Sequence, residues 1–185
     1  MIRSKLDPGV FLFFYNNNLE GIIAVHVEDL MYGGSDLFLK SVIKNLYEVF
    51  EIGDEEEDEF IFTGVHIRWT SDGIYMSQIH YTDNLQLIDY QKNQSSETPL
   101  NDTERTALRS AIGELLWAAT QTRSDLSFAA TRLAGTLPNP TLKELVEVNK
   151  QIERARSAAT PLKISTMMST PTVVVFTDAS QIGRA

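Results

Sequence analysis

The chain has no cysteine, three histidines, and 16 lysines and arginines against 25 aspartates and glutamates. Without cysteine there can be no disulfide, thiolate metal ligand or thiol nucleophile. That composition fits an intracellular setting, cytoplasm or nucleus. His26, His66 and His80 lack metal-ligand spacing, so no zinc site is indicated. Ser77 and Ser180 have no ordered base nearby in sequence, which removes support for a nucleophilic triad. Long apolar runs are missing too. Val10-Phe11-Leu12-Phe13-Phe14-Tyr15 falls far short of the ~20 residues of a membrane helix and does not read as a secretory signal, so no membrane partner is expected.

The shortage of positive charge says most about partners. The formal net charge is -9, whereas a protein that grips nucleic acid unaided presents a basic surface to the phosphates. The chain alone should therefore bind nucleic acid weakly. Part of the imbalance is local, because Glu51 to Glu59 carries seven acids and reads as a solvated loop.

What is present is enough apolar residue, 43% of 185, to build a core. Val10–Tyr15 and Gly21–Val27 read as strands around an Asn16-Asn17-Asn18 turn. Leu30–Tyr32 returns from the second of these. Ser35 suits a helix N-cap with Asp36 in the first turn, and Leu39, Ile43, Leu46 and Phe50 follow at helical spacing. Phe60–Trp69 and Ile74–Ser77 read as strands joined through Asp72-Gly73. Gln78–Tyr90 reads as a helix and Gln91–Pro99 as a polar linker. Helices are expected over Thr103–Gln121, Asp125–Leu137 and Thr141–Ala158. Pro161 and Pro171 bracket an irregular stretch before a final strand, Thr172–Phe176. No internal repeat is visible. Trp69 and Trp117 read as core or interface residues. Gly33-Gly34 reads as a strand-end turn, since no phosphate-loop fingerprint follows it.

One short run concentrates the chemistry: Ile22-Ile23-Ala24-Val25-His26-Val27-Glu28-Asp29-Leu30-Met31-Tyr32-Gly33-Gly34. Two adjacent carboxylates stand between two β-prone stretches, at the tip of a hairpin. Like charges held so close repel, and a divalent cation with oxygen ligands is one remedy. A solvated Glu-Asp turn is the other reading of the pair alone.

The order of motifs resembles the reverse transcriptase of copia-type retrotransposons, from the later palm into the ribonuclease H domain. Arg3-Ser4-Lys5-Leu6-Asp7-Pro8 with Phe11-Leu12 is similar to the segment leading into the palm hairpin. His26-Val27-Glu28-Asp29 stands in the place of the family's Tyr-Val-Asp-Asp turn. Phe62-Thr63-Gly64-Val65-His66-Ile67, followed by Asp72-Gly73-Ile74-Tyr75-Met76-Ser77-Gln78, resembles the family's primer-gripping hairpin. The block Ser110 to Ala129, with Thr122-Arg123-Ser124-Asp125, is similar to the connecting helices, although the family usually has proline where Ser124 stands. Phe176-Thr177-Asp178-Ala179-Ser180 looks like the first ribonuclease H strand.

The resemblance implies an α+β fold: an antiparallel palm-like sheet with a packed helix, a mainly helical connection and an isolated C-terminal strand. It implies a partial palm at 1–90, a linker at 91–102, a helical connection at 103–160 and the truncated start of a ribonuclease H-like domain at 172–185. Glu28 and Asp29 would be catalytic carboxylates and metal ligands, and Asp178 a vestigial ribonuclease H ligand. The cofactor would be Mg2+; the partners of the intact enzyme would be an RNA or DNA template-primer and dNTP. The reaction is an in-line nucleotidyl transfer assisted by two metals ~3.5–4 Å apart.

Three departures bear on activity. The match starts beyond the fingers and the palm strand that carries an earlier catalytic Asp, and Asp7, before a proline in a turn, is a poor substitute. Glu28 replaces Asp, moving its carboxylate by ~1.5 Å, on a scale where misplacement can cost ~100-fold in rate. His26 replaces tyrosine. The isolated chain is therefore expected to be an inactive fragment of an RNA-directed DNA polymerase, the alternative being a non-enzymatic remnant or interaction module of the same origin.

Overall fold

A computed structural model describes residues 1–157 and 161–166, which form two antiparallel four-stranded sheets and a set of helices. The fold is α+β. The first sheet runs β1 (Ile2–Arg3), β2 (Val10–Tyr15), β3 (Asn18–His26) and β4 (Asp29–Gly34), in that spatial order. Asn16 and Asn17 both have positive φ and make the two-residue turn between β2 and β3, a conformation that asparagine tolerates well. Asn18 already belongs to β3, opposite Tyr15.

Cross-strand neighbours share a face. Phe11, Ile23 and Tyr32 are opposite one another, as are Phe13, Gly21 and Gly34. A helical segment covers this face: α1 (Asp36–Phe38), a π-helical turn (Leu39–Ile43) and α2 (Lys44–Val49). The Ser35 hydroxyl caps it by accepting the Phe38 N–H. Phe38 is completely buried with Ile23 and Ile43. Its ring occupies the space that a Cβ at Gly21 or Gly34 would need, so the two glycines form a slot for it. The expected helical stripe is thereby corrected: Ile43 is buried, but Leu39 is exposed and Phe50 is 60% exposed, beyond the helix end. The extra residue in the π turn rotates everything after it.

The second sheet runs β5 (Glu59–Phe62), β6 (Val65–Thr70), β7 (Gly73–Ser77) and β8 (Leu162–Ser165). The stretch Phe60–Trp69 is not one strand; Thr63 and Gly64, both at positive φ, turn it back on itself. Thr70 pairs with Gly73, leaving Ser71-Asp72 as the next turn. β8 lies where an irregular stretch was expected and pairs with β7 across a sequence gap of nearly ninety residues, with Lys163 ion-paired to Asp72 at 2.6 Å. Trp69 is 62% exposed, not core.

The helix expected over Gln78–Tyr90 is only α3 (Ile79–Asp83). Beyond it, side chains of another helix bind the backbone and replace helical bonding. Asn149 accepts the Ile88 N–H and donates to the Ile88 carbonyl, both at 2.8 Å, and Arg156 donates to the Leu85 carbonyl. The larger core is helical: α4 (Asp102–Gln121), α5 (Ser127–Ala134), shorter than expected and entered through a 3₁₀ turn (Ser124–Leu126), and α6 (Leu142–Ser157). Asn101 and Glu104 form a capping box at the start of α4. Arg123, 4% exposed, binds both Asp125 oxygens (2.9 and 3.0 Å) and the Ala155 carbonyl. It ties the α4–α5 corner to the end of α6. The final strand expected at Thr172–Phe176 lies outside the described residues.

Candidate functional site

The β3–β4 hairpin places the acidic doublet. His26 pairs with Asp29, so Val27 and Glu28 alone make the turn. Val27 has φ +55, a left-handed conformation that is strained for a β-branched side chain, and is 83% exposed. Alternation along β3 puts buried Ile23 toward the helix and His26 on the opposite face, where Asp29 is its cross-strand neighbour. Glu28 and Asp29 are both exposed, and among the described residues neither has an ion-pair partner.

The turn stands between two elements that sequence reading did not connect with it. The His26 ring meets the edge of Phe62, with centroids 6.4 Å apart. Asp7 sits on the same flank: its Oδ1 accepts the Gly9 N–H at 2.8 Å, and the Gly9 carbonyl accepts the Val25 N–H at 2.8 Å. Thus the Asp7–Gly9 loop lies along the end of β3. The Thr63–Gly64 turn rests on Trp117, a Cβ at Gly64 falling 3.1 Å from the indole Cη2, and Trp117 meets Tyr81 edge-on at 4.5 Å. The Thr-Gly dipeptide was the available signal for this contact, concealed by the apolar residues on either side.

Two adjacent hard carboxylates, one in the turn and one opening β4, suit one side of a magnesium or manganese site. They do not enclose a cation, since no group of three or more His, Asp or Glu able to hold a metal occurs among the described residues. Asp7 therefore does not complete a site with Glu28 and Asp29. Asp178 lies outside the described residues. β4 is the outer strand of its sheet, so among the described residues the backbone beside Asp29 has no partner on its outer edge.

The chain is 29% identical over 154 residues to the retrovirus-related Pol polyprotein from transposon RE2 of Arabidopsis thaliana. The match covers 76% of this chain and 10% of that relative, so the chain spans only a small part of the curated protein it resembles. No protein-family model matches the chain, and no solved structure matches it. The likeness supports an origin in a retrotransposon Pol polyprotein.

Proposed function

We infer that this chain is the later palm and connection part of a copia-type reverse transcriptase, contributing to RNA-directed DNA synthesis within a larger polyprotein. The observation that carries this reading is the acidic doublet at a two-residue hairpin turn, Glu28 in the turn and Asp29 opening β4, an outer strand whose far edge is open among the described residues. An open edge is where a further strand adds, and such a strand could bring the carboxylate that the doublet lacks. In this reading residues 1–90 are palm, 91–102 linker, 103–160 connection and 172–185 the start of a ribonuclease H-like unit. Glu28 and Asp29 would hold Mg2+, which when bound supplies charge neutralisation at the phosphate. The chain's own residues present two oxygen donors and orient them through the strained turn. RNA or DNA template-primer and dNTP would be the substrates, in an intracellular setting.

The test is magnesium-dependent primer extension on a homopolymer template. The isolated chain should extend nothing. Fused behind a segment supplying the earlier palm strand of a copia-type enzyme, it should extend, and Asp29→Asn should abolish that extension. Glu28→Asp should accelerate the fused enzyme by up to ~100-fold, because it withdraws the carboxylate by one methylene. Extension by the isolated chain would show that the missing carboxylate is dispensable or replaced, whereas a fused enzyme indifferent to Asp29→Asn would refute the reading. A fused protein that folds yet stays inactive even with Glu28→Asp favours the non-enzymatic remnant.

A further inference from the structure

The second sheet gathers apolar side chains on one face. Register puts Phe60, Ile67, Met76 and Leu162 in one row across β5, β6, β7 and β8, and Trp69, Ile74 and Ile164 in the next. Alternation along the strands turns the row of Glu59, Arg68, Tyr75 and Lys163 to the opposite face. Neither hydrophobic core includes a residue of this sheet. Trp69, Leu162 and Ile164 are exposed, and the other four apolar side chains are half-buried. Two adjacent rows without a polar group mark a face built to be covered.

A layer that covers a sheet is a set of helices or another sheet. The described helices contribute to the two cores instead. Outside the described residues the longest apolar run is Val173-Val174-Val175-Phe176, whose β-branched side chains disfavour a helix. A lone strand laid on a sheet face would leave its own amides unpaired. A second copy, by contrast, brings a sheet of the same extent with the same apolar rows. Four strands ~4.8 Å apart, each about five residues of ~3.3 Å, give a face of roughly 300 Å² in plan. Side-chain relief adds to this, so two faces would remove on the order of 1,000 Å² from water, the lower limit for a specific interface. We infer that this face joins two copies of the chain, sheet against sheet about a two-fold axis. Charge sets the strength. Two bodies of -9 repel at a distance while the contact itself is uncharged, so the dimer is weak at low salt and tightens as salt screens the repulsion. This inference is independent of the polymerase reading, since it needs neither metal nor nucleic acid.

The experiment is sedimentation velocity of the full chain from ~5 to ~500 µM, the range in which so small an interface should associate. It is run in ~0.05 M and ~0.5 M NaCl, which differ severalfold in screening. The sedimentation coefficient should climb from monomer to dimer with concentration, and should do so at lower concentration in the higher salt. Ile164→Lys sets a cation in the contact and should weaken association at least about tenfold. Ile61→Lys is the control, making the same change of charge at an exposed isoleucine on the opposite face, and should leave association unchanged. Trp69→Ser is a second variant should Ile164→Lys fail to fold, and should also weaken association about tenfold. A chain that stays monomeric throughout in both salts would overturn the proposal. Protection of the Trp69 indole N–H from solvent exchange in that monomer would assign the face to the chain's own remaining residues, and its free exchange to a different protein. Open-ended assembly, or a dimer that Ile61→Lys and Ile164→Lys weaken alike, would overturn it too, because either points to pairing through the strand edges.

Discussion

At the scale of single residues, Phe38 decides how the acidic turn is supported. Its ring fills the slot between Gly21 and Gly34, which pair directly across β3 and β4. Gly21→Ala puts a methyl group into that ring and should destabilise the protein by about 1–3 kcal/mol, as overpacking does. The check is urea unfolding, with Phe38→Leu in the same background. If the slot is real, the double variant loses less than the sum of the two single changes, because Leu vacates part of the contested volume. Additive losses would show that Gly21 matters through its backbone and not through Phe38. Sequence pattern pointed elsewhere: Leu39, Ile43, Leu46 and Phe50 carry the helical period, but Phe38 carries the contact. A glycine opposite a glycine was the available clue, and it becomes meaningful only once the strands are in register.

Among the elements, turns that carry their own chemistry were legible and segments decided by distant partners were not. Asn16-Asn17, Asp72-Gly73 and the acidic doublet announce hairpins because each fixes local backbone geometry. The stretch after Asp83 reads as helix on period alone, yet Asn149 and Arg156 hold its backbone open from α6. β8 was illegible for the same reason, its partner β7 being remote in sequence. Thr122-Arg123-Ser124-Asp125 stood out as a motif, and its structural work is to anchor a corner. The bidentate hydrogen bond from Arg123, followed by attraction from Arg123 and Arg154, keeps the Asp125 carboxyl below the usual carboxylate range. A depressed folded pKa adds stability above the unfolded value of about 3.9, and that contribution is lost as pH falls through the lower folded value. Denaturant midpoints measured from pH 6 down to pH 2 should therefore fall more steeply in the natural chain than in Asp125→Asn. Parallel profiles would show that the pair contributes nothing to folding.

At the scale of the whole molecule, the candidate turn rests on the smaller of two cores. Among the described residues three buried side chains support the first sheet, whereas sixteen form the helical core. A well-built helical body thus carries a more weakly supported sheet whose outer strand has no partner on its far edge among the described residues. Charge bears on the proposed function at this scale. Phosphate contacts supply nearly all non-specific affinity for nucleic acid, and the 16 lysines and arginines of this chain are outnumbered by 25 acids. Two of those cations are already engaged: Arg123 is buried on Asp125 and Lys163 is held by Asp72. In fluorescence anisotropy with a labelled template-primer at physiological salt, the isolated chain should show no saturation below ~100 µM, at or beyond the weak end of non-specific binding. The same chain fused behind a basic upstream segment should bind, with an affinity that falls as salt rises. Tight, salt-sensitive binding by the isolated chain would instead reveal a phosphate-reading surface of its own.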